Sequence, residues 1–406
     1  MRLIQAKVRC VEGVVDTGWL VPGRQTTVIY GPVGSGKKHF LKALEALNPV
    51  YDISVENPFV NHPEIWQQGK YKRRVYPEKK TAVFMVFSAQ PNLVRELDNI
   101  DPALIETDRI EVGRRLDLSR WITFVEISAS TRWSEIADQM KTLRERLQHC
   151  SKGRDFVLQG DFIDMLAATD RVKGEVAVTC ANWLNSIADV LTEEDRPLLD
   201  TCMQKTQRAE RFITARKKVE ESLPPTIAVH KEQSIRADYS FSFLEKADTD
   251  CDPVVSLLRN IFHSYRLGSK HGRERFFSTL KEPYADIKSL LVAGINLPEL
   301  MVDENGFTLT AYTPDSILAK RVQLMGLVAL LSTVCYGRPP LLLIDQLDEG
   351  MDDETADTFI GWLQDFSGYC QIILATGSRR VALRPGWQAV KRIGPEGLTE
   401  GGIISE

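Results

Sequence analysis

Gly31, Pro32, Val33, Gly34, Ser35, Gly36 and Lys37 spell the pattern G-x-x-x-x-G-K, and the chemistry of that pattern is a grip on phosphate. Glycines carry no Cβ, so successive backbone N–H groups can converge on anionic oxygens. A helix that begins directly afterwards points its positive end at the same place. The Lys37 ammonium then meets the β- and γ-phosphates of a nucleoside triphosphate. The surroundings supply the context that the motif needs: the β-rich run Thr26-Thr27-Val28-Ile29-Tyr30 leads in. Phe40, Leu41, Leu44 and Leu47 follow at helical spacing, and Asn48-Pro49 ends the helix. Lys38 and His39 continue the loop into that helix. At position 38 a Ser or Thr hydroxyl would ordinarily hold Mg²⁺. A second ammonium there opposes a divalent cation. Nucleotide binding is therefore expected, with Mg²⁺ binding weakened.

The matching half of such a site stands near the other end of the chain. Leu341-Leu342-Leu343-Ile344-Asp345 is an apolar run closed by a carboxylate. This is the form of a buried parallel strand that presents an acid where α/β sheets place their ligands. With the following Gln346-Leu347-Asp348-Glu349-Gly350-Met351-Asp352, it resembles the Walker B and D-loop segment of ABC ATPases. The wide separation of Lys37 from Asp345 resembles the RecF/SMC-like branch, whose N- and C-terminal parts form one head around an insert. The resemblance covers 1–130 and 225–385. It implies an α/β P-loop NTPase head with a mixed β-sheet and a helical insert. It also implies ATP as the nucleotide, and homo- or hetero-oligomers in which paired heads sandwich ATP.

Carried residue by residue, the resemblance makes Asp345 the Mg²⁺-associated aspartate and Asp352 the D-loop aspartate. Ser316, after Thr313-Pro314-Asp315, takes the signature-loop serine position without that loop's glycines; an ordinary helix N-cap explains it equally well. Gln90, after a strand over 81–87, matches the Q-loop glutamine. Three positions depart from the family: Lys38, Gln346 in place of the catalytic glutamate, and Gly377 in place of the switch histidine. An amide can position water but cannot accept its proton. Glu349 is the carboxylate expected to stand in if turnover is retained. The leading expectation is an ATP-binding switch or assembly module with weak or absent hydrolysis. The alternatives are an active ATPase in DNA repair or anti-phage defence, and a DNA-binding structural subunit with a vestigial nucleotide site.

These residues need elements to hold them. Strands are expected at 81–87, 121–127, 226–229 and 371–376, and a half-buried edge strand on the alternation of Ile4, Ala6, Val8 and Cys10. Asp303-Glu304-Asn305-Gly306 marks a hairpin turn, and a helix near 316–333, apolar on most faces, is expected to be buried. Ile136, Met140, Leu143 and Leu147 give the seam of a short coiled-coil-like hairpin. The expected division is 1–132 and 224–406 for the two parts of the head, with 133–223 as the insert.

The net charge of −4, with 26% charged residues, gives no global pull toward nucleic acid. DNA contact would have to come from local runs: Lys70, Lys72, Arg73, Arg74, Lys79 and Lys80, or Arg266, Lys270, His271, Arg273 and Arg275. Seven scattered cysteines without metal-ligand spacing fit a reducing compartment. No signal-like segment or membrane-length apolar run stands out, so the expected location is cytoplasmic.

Overall fold

The computed structural model describes residues 1–11, 14–59, 79–150, 153–247, 250–310, 316–394 and 397–400. The chain divides into two compact units, one of Met1–Ser88, Glu111–Trp121 and Leu223–Glu406, the other of Ala89–Ile110 and Ile122–Ser222. The expected insert over 133–223 corresponds to most of the second unit, which also takes in 89–110 and 122–132. The first basic run, at 70–74, and the segment 313–315 lie outside the described residues.

Strands in chain order are β1 (Arg2–Val11), β2 (Val14–Asp16), β3 (Thr26–Tyr30), β4 (Thr81–Ser88), β5 (Arg109–Arg115), β6 (Arg120–Phe124) and β7 (Thr226–His230). They continue as β8 (Asp238–Ser240), β9 (Glu299–Val302), β10 (Gly306–Thr310), β11 (Leu341–Asp345), β12 (Ile372–Thr376), β13 (Ala389–Gly394) and β14 (Gly397–Glu400). The principal sheet has the order β14-β13-β3-β12-β11-β7. Its strands from β13 to β7 are all parallel, and β14 turns back antiparallel. β3, β7, β11 and β12 are buried almost throughout. Strands covered on both faces read as continuous apolar runs, and that is how these appear in the sequence.

A second sheet has the order β2-β1-β4-β5-β6. β1 is not the edge strand that its alternation suggested, because β2 and β4 flank it. A register shift between Leu3 and Gln5 places Leu3, Ala6, Val8 and Val11 inside, and Ile4 falls out of the pattern. Gln371 ties β1 down: its Oε1 accepts from Leu3 N at 3.0 Å, and its Nε2 donates to Leu3 O at 2.9 Å and Gly23 O at 3.0 Å.

Helix α1 (Lys37–Glu45) packs against β7, β11 and β12 and against β1 and β4. Helix α2 (Ile317–Tyr336) is the centre of the main core, with Val322, Met325, Leu327, Val328, Leu330 and Leu331 fully enclosed. By length and composition α2 could span a bilayer, but its apolar residues pack against the helices Pro253–Tyr265 and Lys270–Ser289 and against α3 (Asp353–Phe366). The Asp303 turn joins β9 to β10, and its Oδ1 accepts from Asn305 N at 2.7 Å and Gly306 N at 3.0 Å.

In the second unit Trp133, Ile136, Met140, Leu143 and Leu147 pack with Ile163, Cys180, Trp183, Leu184 and Ile187. The seam that suggested a coiled-coil-like hairpin is thus one face of a helical cluster, in which several helices share the apolar stripe of Ala137–Gln148.

Candidate nucleotide-binding site

β3 delivers the glycine loop to the C-terminal edge of the principal sheet. Tyr30 is in register with Thr376 of β12, and Ala375 with Asp345 of β11. The loop and Asp345 therefore leave the same edge two strands apart, about 10 Å at the usual strand spacing. The loop conformation depends on its glycines. Gly34 and Gly36 have φ of 80° and 89°, a left-handed region costly for other residues. A Cβ on Gly31 would lie 2.6 Å from Ile393 O and 2.7 Å from Ser35 Oγ. Gly36 heads α1 with no side-chain cap, which leaves first-turn N–H groups for an anion.

The Lys37 side chain is folded into the loop it follows. Its Nζ donates to Gly31 O at 2.6 Å and Pro32 O at 2.8 Å, with Ser35 Oγ at 3.4 Å, and the residue is only 4% exposed. Burial lowers its pKa, while the negative charges of Asp345 and Asp348 push the other way. Their effect on the ammonium joins the two ends of the chain at one electrostatic site.

Across from the loop, Asp345 is buried and its Oδ1 has no hydrogen-bond partner. Burial raises its pKa, Glu232 adds to the rise, and His230, Lys38 and Lys37 oppose it. His230 closes β7 directly beside Asp345 in register. Its Nδ1 is buried and unpartnered, and desolvation lowers the pKa of the half-buried ring. Lys38 is exposed, yet its charge reaches both Asp345 and His230. His39 is half-buried beside it. Pro32, Val33 and Gly34 are exposed at the mouth of the loop, and Ser35 N donates to Pro32 O at 3.2 Å.

The other sequence candidates are engaged in different bonds. Gln346 adopts φ of 54°, uncommon for a residue with a Cβ, and its N–H donates to Ala375 O at 2.9 Å. Glu349 is exposed and pairs with Lys231 at 2.8 Å. Asp352 is exposed and caps α3, its Oδ1 accepting from Thr355 N at 2.8 Å, a bond that holds its carboxyl below the usual range. Ser316 caps α2 through Ala319 N at 3.5 Å. Gly377 leads into Ser378, which caps the helix Arg379–Leu383. Gln90 belongs to the second unit, where it is exposed and precedes the helix Pro91–Asp98 without a side-chain capping bond. Asp348, which sequence reasoning passed over, is buried, and its Oδ2 accepts from the Thr376 hydroxyl at 2.6 Å.

For Mg²⁺ the donor set fits in one respect and not in another. The unpartnered Oδ1 of Asp345 is the hard anionic oxygen that the ion favours. The Lys38 ammonium stands where a hydroxyl ligand would be. Asp345 is thus the residue of this chain that would hold the ion, supplying one anionic oxygen.

Of the basic clusters, Lys79 pairs with Asp117 at 2.9 Å. Arg273 Nη1 donates to Leu267 O at 2.9 Å, Arg275 Nη2 donates to Ser264 O at 3.2 Å, and Lys270 lies 4.0 Å from Glu274. This second run closes the turn between two helices.

No family model matches the chain, and no curated protein matches it. Similar solved structures include an SMC head bound to the C-terminal winged-helix domain of ScpA, with TM-score 0.43 and 12% identity over 98% of this chain and 97% of that one. Another is an SMC head domain from Thermotoga maritima, with TM-score 0.37 and 12% identity over 99% of this chain and 100% of that one. A third is an SMC head domain with coiled coil and joint from Pyrococcus yayanosii, with TM-score 0.41 and 12% identity over 98% and 97%. Likenesses at these scores and identities assign neither activity nor partner.

Proposed function

We propose that this chain is a nucleotide-binding module that grips the triphosphate of ATP and works as a nucleotide-controlled switch or assembly unit with weak hydrolysis. The observation that carries this reading is the meeting of Lys37, Asp345 and the uncapped start of α1 at one edge of one parallel sheet. Lys38, Gln346 and Gly377 support the second half of the reading. Each replaces a group that would hold Mg²⁺, accept a proton or sense the γ-phosphate. The choice of adenine follows the resemblance to ABC ATPases. DNA binding is the weaker reading, because Arg273 and Arg275 of the second basic run each donate to a backbone carbonyl.

Native mass measured with and without ATP, together with turnover, tests the reading. ATP is expected to shift the protein to a larger assembly, with turnover well below the ~1 s⁻¹ lower end of ordinary enzymes. Gln346→Glu is expected to raise turnover. A mass indifferent to ATP would remove the assembly role, and fast wild-type turnover would remove the weak-hydrolysis role.

A further inference from the structure

Beside the loop lies a carboxylate with no part in the motif. Asp348 follows the left-handed turn at Gln346 and is 9% exposed. A short chain of bonds fixes its direction: Ser378 N donates to Thr376 Oγ1 at 2.9 Å, and the Thr376 hydroxyl donates to Asp348 Oδ2 at 2.6 Å. Thr376 closes β12, the strand between the two halves of the site. The other oxygen, Oδ1, is buried and receives no hydrogen bond from another residue. Asp345 and Asp348 are the two carboxylates whose charge acts on Lys37. Glu349, by contrast, is exposed and paired with Lys231.

We propose that Asp348 is the general base of this site, taking the role that a carboxylate at position 346 would have played; the assignment rests on the reading that the 31–37 loop holds ATP. Oδ1 accepts a proton from a water molecule as that water's oxygen bonds to the γ-phosphorus. The bond from the γ-phosphorus to the bridging oxygen breaks, and its electron pair leaves on ADP. The proton held by Asp348 then passes to the phosphate product. The Gln346 amide positions the water. Burial and the neighbouring charges of Glu349 and Asp345 raise the Asp348 pKa, while the Thr376 hydrogen bond lowers it. A base lifted toward neutrality transfers protons more effectively than an ordinary aspartate.

The test uses the full chain, with hydrolysis at saturating ATP and ATP affinity measured on the same preparations. Asp348→Asn should lower kcat by about 10² or more while ATP affinity stays within about threefold. Thr376→Val keeps the side-chain shape and removes the donor. The acid limb of kcat against pH should then move to higher pH, which loss of a structural bond alone would not produce. If Asp348→Asn does not fold, the Thr376→Val profile decides. Asp348→Asn turning over like the wild type, or an acid limb that stays in place, would overturn the assignment. Wild-type protein that binds ATP and never turns it over would also overturn it and leave the grip intact. Wild-type protein that does not bind ATP would remove the grip itself.

Discussion

Lys38 is exposed at the start of α1, and its charge acts on both Asp345 and His230. A fixed ammonium near the Asp345 carboxylate offsets part of its charge. Lys38→Thr removes that charge and supplies a hydroxyl ligand. The expected outcome is an ATP affinity that gains about tenfold more from Mg²⁺ than the wild type does, about 1.4 kcal/mol, measured calorimetrically in Mg²⁺ and in chelator. Equal Mg²⁺ dependence in the two proteins would show that Lys38 does not govern the metal. At this scale Lys37, Lys38 and Asp345 were legible, because a glycine string and an apolar run announce them. Asp348 and His230 were not. Spacing alone cannot say which of the acids after Asp345 turns toward the lysine; the left-handed backbone at Gln346 and the hydroxyl of Thr376 decide it. His230 ends a strand, and only the pairing of β7 with β11 brings it beside Asp345.

The element that carries the loop is also tied to the sheet edge by a buried acid. Glu45, in the last turn of α1, accepts from Ala228 N of β7 at 2.9 Å and from the Tyr51 hydroxyl at 3.1 Å. Thr226 N donates to Asn48 O at 2.8 Å and His230 N to Gln233 Oε1 at 3.0 Å. The outward donors of this edge strand are therefore satisfied within the fold rather than left for another chain. Burial pushes the Glu45 carboxyl from 4.5 up to about 7. A folded-state pKa above the unfolded one means stability that is whole below about 4.5 and is lost as pH rises through about 7. The wild-type Tm should fall between pH 5 and pH 8. Glu45→Gln, which keeps an acceptor oxygen and removes the titration, should lose less over that range, as followed by thermal denaturation. Parallel slopes would contradict the role of Glu45.

The elements nearest the site were the easiest to read. β3 and β11 have the expected bounds, since strands buried on both faces are unbroken apolar runs bounded by turn residues. β5 and β13 escaped notice because Arg109, Glu111, Arg114, Lys391 and Arg392 interrupt their apolar pattern. β1 was recognised but misplaced, since an alternation cannot reveal a bulge or a flanking strand.

Across the whole molecule, the site exists because chain segments distant in sequence join one sheet: β3 from near the start, β7 after the second unit, and β11 and β12 toward the end. On the proposed reading, Lys37 and Asp345 serve the same triphosphate. ATP affinity of the wild type, Lys37→Ala, Asp345→Asn and the double variant, each measured in Mg²⁺ and in chelator, tests that claim most directly. Lys37→Ala should weaken binding in both media by about 1.5–3 kcal/mol, the worth of a charge-assisted contact. Asp345→Asn should weaken it in Mg²⁺ alone, and the two losses in Mg²⁺ should not add, as for residues that share one ligand. Lys37→Ala binding ATP as tightly as the wild type, or losses that add independently in Mg²⁺, would contradict the account.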